Sequence, residues 1–444
     1  MDGQRLDSWI KEKIGLRGGD LALQAVKDYQ LQRLQETIAY VSGHSPFYRR
    51  HFQEYPGKKL RGLADLKGVP FTTPQDLRNH GLQMLCVSQS EIERVVTLES
   101  SGTTGVPKRV YFTRDDRELT IDFFVQGMAL LTSPGDRVLI LLPGERPGSI
   151  GDLLYTALLR LGTVPIKYGF AGGLPETLEK ITATRADVLV GIPIQVLALA
   201  RYSELKGRQA QVFLKRLLLS TDYVSRAVVR ELQRIWGCEV FRYYGLSEMG
   251  LGGGIECSYH NGFHLYEADF LVEIVHPVTG EIQPEGQWGE VVFTTLTRRG
   301  MPLIRYRTGD LSRYLPGGCS CGSSLPRLEN ITARKTGVIR LAAECFITMA
   351  DLDEILLAIP GVIDFTAIVS YLPDYTSVEI QIKTLEQKID TLSVGAELSR
   401  NNAFGAARER GKLELIVKTV NCNDNYVPPK GKRMIITNTS LLSE

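Results

Sequence analysis

The sequence has no long apolar run. No stretch approaches the roughly 18 consecutive apolar residues that a membrane-spanning helix needs. Its start, M-D-G-Q-R-L-D-S-W-I-K-E-K, has no basic segment followed by an apolar one, so no secretory signal is expected. An excess of one charge is also missing. Lys and Arg number 52 against 50 Asp and Glu, a net charge of +2, so neither nucleic acid nor an anionic membrane is an expected partner. Cysteine is scarce, with seven in 444 residues. Without a signal segment, this predicts reduced thiols or metal ligands rather than disulfides, and a cytoplasmic location. Repeats and low-complexity tracts are absent. No Gly-Lys pair is followed by Ser or Thr, which excludes a Walker A loop.

What is present describes a globular α/β chain. Apolar residues make up 43% and charged residues 23%, and a prior of about 150 residues per domain gives two or three domains. Residues 20–42 carry one apolar face at helical spacing. Strand patterns at 137–142, 187–192, 212–220 and 238–244 alternate with helix patterns at 151–161, 194–201 and 224–235. Such alternation predicts a doubly wound parallel sheet covered by helices, with binding sites at the carboxyl ends of strands. Short strands between Gly/Pro turns over 263–333 predict a β-rich subdomain. Beyond 337 the pattern becomes α+β, with one helix over 390–408. The expected domains are 1–334 and 335–444.

The most informative stretch is L-E-S-S-G-T-T-G-V-P-K, 98–108. Ser100, Ser101, Thr103 and Thr104 bring hydroxyl donors, and Gly102 and Gly105 let backbone amides approach an anion. Lys108 adds a positive charge. Strand patterns at 93–98 and 109–113 flank the loop, which suits a phosphate clamp. The plainer reading is an ordinary hairpin turn.

Ser-Ser-Gly-Thr-Thr-Gly-x-Pro-Lys resembles the phosphate loop of the adenylate-forming superfamily. F-R-Y-Y-G-L-S-E (241–248) resembles its adenine and magnesium motif, and I-R-Y-R-T-G-D (304–310) its ribose motif. P-P-K-G-K-R (428–433) is similar to its catalytic-lysine loop. Within the superfamily the chain looks like the phenylacetate–coenzyme A ligases, through P-F-Y-R-R-H-F (46–52), V-P-F-T-T-P-Q-D-L-R (69–78) and 241–332.

The resemblance implies roles for individual residues. Glu248 would hold magnesium, which favours hard oxygen ligands. Tyr244, with Gly245 behind it, would lie against adenine. Ser247 would reach the α-phosphate, and Asp310 would accept both ribose hydroxyls. Arg334 matches the arginine of the hinge segment. Lys432 would be the catalytic cation, stabilising charge where a carboxylate attacks the α-phosphate. The implied partners are ATP, a small-molecule carboxylic acid and coenzyme A as co-substrate, and the reading admits a homodimer. The alternatives are transfer to a carrier protein or a protein side chain, and a non-catalytic nucleotide sensor.

A second constellation is independent of those motifs. Cys257, His264, Cys319 and Cys321 offer three thiolates and an imidazole, a donor set suited to structural zinc. His260 is the alternative nitrogen ligand.

Two segments depart from the family. The hinge, Gly-Arg-x-Asp-Asp in relatives, is here A-R-K-T-G (333–337), with Lys335, Thr336 and Gly337 after the arginine. The region matching the aryl pocket reads L-P-G-E-R-P-G-S (142–149). It lacks the family's aromatics and carries Glu145 and Arg146, which hints at a more polar acid than phenylacetate.

Overall fold

The computed structural model describes residues 2–53, 60–98, 107–386 and 388–438. The backbone groups into two compact units. The first comprises Met1–Ser133, Arg146–Gly162 and Phe241–Ile331. The second comprises Pro134–Glu145, Thr163–Val240 and Thr332–Glu444.

In the second unit, parallel strands lie side by side in the order Arg216–Leu219, Val188–Gly191, Arg137–Ile140, Val164–Lys167. Val188–Gly191 is buried at every position, as a parallel strand covered on both faces must be. Helices Leu174–Thr184, Pro193–Leu205 and Arg226–Trp236 alternate with the strands, so the expected α/β alternation holds. Pro193–Leu205 is buried at every position from Pro193 to Ser203. It is therefore a core helix rather than an amphipathic one.

The same unit carries an α+β part. Its sheet runs in the order Leu413–Cys422, Thr376–Leu385, Val362–Tyr371, Ile436–Asn438. Thr376–Leu385 alternates buried with half-buried positions over most of its length, the period of a strand with one covered face. The single helix expected over 390–408 is two, Thr391–Ser399 and Asn402–Glu409. Asn401 divides them. It is extended (φ −65°, ψ 132°), and its Oδ1 accepts from the Ala403 amide at 3.0 Å. A side chain that caps a new helix competes with continuing the old one.

In the first unit, Ile92–Leu98 and Lys108–Thr113 pair as an antiparallel hairpin. Helix Arg114–Met128 follows directly. It starts on a reciprocal cap in which Thr113 Oγ1 accepts from the Asp116 amide and Asp116 Oδ2 accepts from the Thr113 amide. An antiparallel sheet of Phe270–Val275, Gly289–Thr295 and Tyr306–Ser312 forms the β-rich part. Arg305, 1% exposed, grips Glu273 through two hydrogen bonds of 3.0 and 2.8 Å and donates to the Val69 carbonyl at 2.8 Å. This arginine of the ribose motif is thus structural. No helix among the described residues is long and apolar enough to cross a membrane.

Glu267 is also buried here, with its carboxylate taking a 2.5 Å hydrogen bond from Gln30. Burial outweighs Gln30 and Lys27 and pushes its carboxyl up to about 7. The folded state therefore binds this proton more tightly than the unfolded chain, and stability is lost as pH rises through 7. Glu267→Gln should gain about 2 kcal/mol relative to wild type between pH 5 and pH 8, by linkage. Urea melts at both values measure this, and a variant whose offset does not change with pH would refute it.

Candidate functional site

Of the predicted phosphate loop, Ser100, Ser101, Gly102, Thr103, Thr104 and Gly105 lie outside the described residues. Its flanks are the expected strands, and the second begins at Lys108. From there Lys108 Nζ reaches Glu248 Oε1 at 2.6 Å.

Glu248 sits in the tight turn that ends strand Glu239–Gly245. There the Leu246 carbonyl accepts from the Met249 and Leu251 amides at 3.0 and 2.8 Å. Gly245 is required at this point, because a Cβ would come within 2.6 Å of the Leu251 carbonyl oxygen. Ser247 is half-buried in the same turn, and its carbonyl accepts from the Gly250 amide at 3.0 Å. Glu248 Oε1 also accepts from the Tyr306 hydroxyl at 3.1 Å. Arg298 donates to the Glu248 main-chain oxygen at 2.6 Å. Burial pushes the Glu248 carboxyl up, but Lys108 and the hydrogen bonds outweigh it, and the net shift is downward. The site therefore keeps a buried, ionised carboxylate at neutral pH.

Tyr244 lies four residues before Glu248, and its hydroxyl donates to Asp310 Oδ2 at 3.2 Å. Asp310 is 2% exposed and stands on strand Tyr306–Ser312, whose register with its neighbour slips between Glu290 and Val292. Gly309 takes φ +77° at that slip, a conformation open to glycine. The adenine and ribose motifs, 66 positions apart, thus meet side chain to side chain. Lys108, Tyr244, Gly245, Ser247, Glu248 and Asp310 all belong to the first unit. Arg334 and Lys432 belong to the second.

Arginines gather beside this site. The guanidinium carbons of Arg94 and Arg298 lie 5.0 and 4.9 Å from the Phe112 ring centre. Burial and the nearby Arg298 and Arg117 charges hold Arg94 down to about 10. Arg94 Nη1 and Arg117 Nε are buried without a hydrogen-bond partner among the described residues. Both side chains flank Gly148, where a Cβ would lie 3.5 Å from Arg94 Cδ and 4.0 Å from Arg117 Nε.

The cysteine constellation comes together in the first unit. The donor atoms of Cys257, His264, Cys319 and Cys321 all lie within 4.8 Å of one another. Cys257 Sγ is 3.6 Å from Cys319 Sγ, and Cys321 Sγ is 3.4 Å from His264 Nε2. A hydrogen bond from Cys257 pulls the Cys321 thiol well below its ordinary range. Buried Arg327 donates to the Gly317 and Gly318 carbonyls at 3.0 and 3.1 Å and so shapes the turn that carries Cys319. His260, the alternative ligand, instead places its Nδ1 3.5 Å from Glu256.

Sequence reasoning passed over four residues. Tyr306 stood inside the quoted ribose motif, so it could have been found. Arg298 and the Arg94–Arg117 pair carry no local signal.

The chain is similar to known proteins over most of its length. The AMP-binding enzyme family matches residues 93–296. The phenylacetate–coenzyme A ligase of Thermus thermophilus is 32% identical over 361 residues, 79% of each chain. That of Escherichia coli is 32% identical over 321 residues, 70% of this chain and 71% of its own. Among solved structures, 2-hydroxyisobutyryl-CoA ligase with 2-HIB-AMP superposes at a TM-score of 0.77 and 21% identity. It covers 94% of this chain and 90% of its own, a likeness of fold.

Proposed function

The chain belongs to the phenylacetate–coenzyme A ligase family of AMP-binding enzymes, and from that premise we propose how its own residues divide the work and which acid it takes. The family reaction has two halves. The acid's carboxylate oxygen attacks the α-phosphorus of ATP, and pyrophosphate leaves with the electron pair of the broken P–O bond. The thiol sulfur of coenzyme A then attacks the acyl carbon of the adenylate, loses its proton, and AMP leaves.

The observation that carries the assignment is the convergence of Lys108, Tyr306 and Arg298 on Glu248, one turn from the Tyr244–Asp310 pair. Asp310 accepts the ribose hydroxyls, and the Tyr244 ring packs against adenine. Lys108 meets phosphate charge, and Ser247 donates to the α-phosphate. Glu248 fits a magnesium ligand. It is ionised, and its contacts with Lys108 and Tyr306 both fall on Oε1. Magnesium accepts one or two carboxylates plus phosphates and water, and when bound it neutralises charge on the phosphates. Arg334 and Lys432 keep the hinge and catalytic-cation roles that their motifs imply. Residues 335–444 form the mobile domain in this reading.

The acid is a polar one, with an anionic or strongly hydrogen-bonding tail. The support is the set of sealed, unpartnered guanidinium nitrogens of Arg94 and Arg117 beside Gly148, in the segment that lost the family's aromatics. Arg117 is half-buried and pairs with Glu93 through Nη1 at 2.5 Å, so the weight falls on Arg94, whose sealed Nη1 favours an acceptor on the bound acid.

Cys257, His264, Cys319 and Cys321 hold a structural zinc. Zinc bonds of about 2.3 Å to sulfur and 2.0 Å to nitrogen give tetrahedral edges of about 3.8 Å between sulfurs and 3.5 Å between sulfur and nitrogen. The observed 3.6 and 3.4 Å fit. None of the seven cysteines is in a disulfide, in keeping with a cytoplasmic enzyme.

ATP–pyrophosphate exchange tests the reading across phenylacetate, hydroxy acids and dicarboxylic acids, with and without coenzyme A. Exchange should be fastest with a polar acid, and a thioester should appear only with coenzyme A. Preference for phenylacetate would remove the polar pocket. Exchange without a thioester would move the acceptor to a carrier protein.

A further inference from the structure

The residue after Lys432 is a deeply held cation of the second unit. The Arg433 side chain is 6% exposed and faces three carboxylates. Nη2 bonds Asp353 Oδ2 at 2.7 Å, Nε stands 3.5 Å from Asp222 Oδ2, and Nη1 stands 3.8 Å from Asp364 Oδ1. Its guanidinium carbon lies 5.4 Å from the Phe365 ring centre. Asp364 is shared, taking 2.8 Å contacts from Lys383 Nζ and the Tyr426 hydroxyl. Asp222 bonds the main chain as well. The amide that links Lys432 to Arg433 donates to its Oδ2 at 3.3 Å. Upstream, Gln195 Nε2 donates to the Pro429 carbonyl at 2.8 Å.

We propose that Arg433 and Asp222 are positioning residues for Lys432: the Asp353–Arg433–Asp364 ion pairs and the Asp222–amide hydrogen bond fix the peptide on which Lys432 stands. The proposal rests on the reading of Lys432 as the catalytic cation. Its physical basis is where the loop is pinned. Between the contact at Pro429 and the one at Arg433 stand only Lys430, Gly431 and Lys432, and glycine is the residue with the most backbone freedom. A lysine side chain with four rotatable bonds, on a peptide free to swing, would spread its ammonium over many positions. Preorganised charge is what lowers a barrier, because it is not reoriented during the reaction.

A group this buried also has a structural role, so the test separates the two half-reactions. Four variants are compared, Asp222→Ala, Asp222→Asn, Arg433→Lys and Lys432→Ala. Each is measured for adenylation by pyrophosphate exchange, for thioester formation from a pre-made acyl-adenylate, and for melting temperature. Asp222→Ala keeps the Arg433–Asp353 bond and should stay folded. It should lower adenylation kcat about tenfold with KM for ATP unchanged, the cost of about one charge-assisted hydrogen bond. Thioester formation should keep its rate. Asp222→Asn retains an acceptor for the amide and should recover most of the loss, and Arg433→Lys should fall between. If both half-reactions drop together in step with melting temperature, the residues are merely structural and the proposal fails. It also fails if Lys432→Ala collapses adenylation while Asp222→Ala leaves it intact. If Lys432→Ala itself changes nothing, the catalytic reading of Lys432 is what falls.

Discussion

Replacing Lys432 with alanine should lower adenylation turnover by about 10²–10³-fold, the usual cost of losing one preorganised charge at a developing anion. When a carboxylate oxygen approaches the α-phosphorus, negative charge crowds at the point of attack while the leaving pyrophosphate gains more. A single ammonium near both strengthens as that charge develops, so its loss falls on kcat rather than on binding of ATP. The fold should be spared, because Lys432 is exposed and its removal uncovers no core. Thioester formation from a pre-made adenylate should continue, since that step builds no charge on an attacking carboxylate. Stopped-flow or exchange measurements on the two half-reactions check this directly, and undiminished exchange would take Lys432 out of the mechanism.

Cys319→Ser should release the metal and lower the melting temperature by about 10 °C, corresponding to about 3 kcal/mol for a unit of this size. A structural zinc contributes folding free energy outright, more in a small zinc finger than in a unit that also has its own hydrophobic core. Here the ligands come from far along the chain. Cys257 and His264 flank one reversal, while Cys319 and Cys321 share a turn more than 50 residues later. A zinc bound by these four residues would therefore close a long loop. Elemental analysis should find one zinc per chain in the wild type and none in the variant. A chelator should lower the wild-type melting temperature by a similar amount and leave the variant unchanged. Wild-type protein without zinc would end the proposal.

Much of this was legible in the residues. The four motifs stand in order, and the strand and helix periods place Tyr244 and Glu248 at the carboxyl end of a strand. The donor types of Cys257, His264, Cys319 and Cys321 pointed to one metal. The expected long helix at 390–408 failed because a single asparagine, Asn401, caps a new helix. A period of 3.6 cannot reveal that when both halves share it.

Local chemistry is written in the sequence, since glycine, hydroxyl and lysine spacing dictate what a loop can bind, and hydrophobic period dictates which element carries it. The tertiary structure alone decided who partners whom. Glu248 takes its charge partner from Lys108, 140 positions away, and its hydroxyl donor from Tyr306, 58 away. The imidazole set against Cys321 is that of His264, because strand Phe263–Leu265 brings it there while His260 turns to Glu256. Arg305, which reads like a site residue, is spent on Glu273, and Arg433, which reads like part of a solvated basic run, is buried among three aspartates. Each of these outcomes depends on contacts between distant segments, and their energies come from burial and desolvation that no local pattern records.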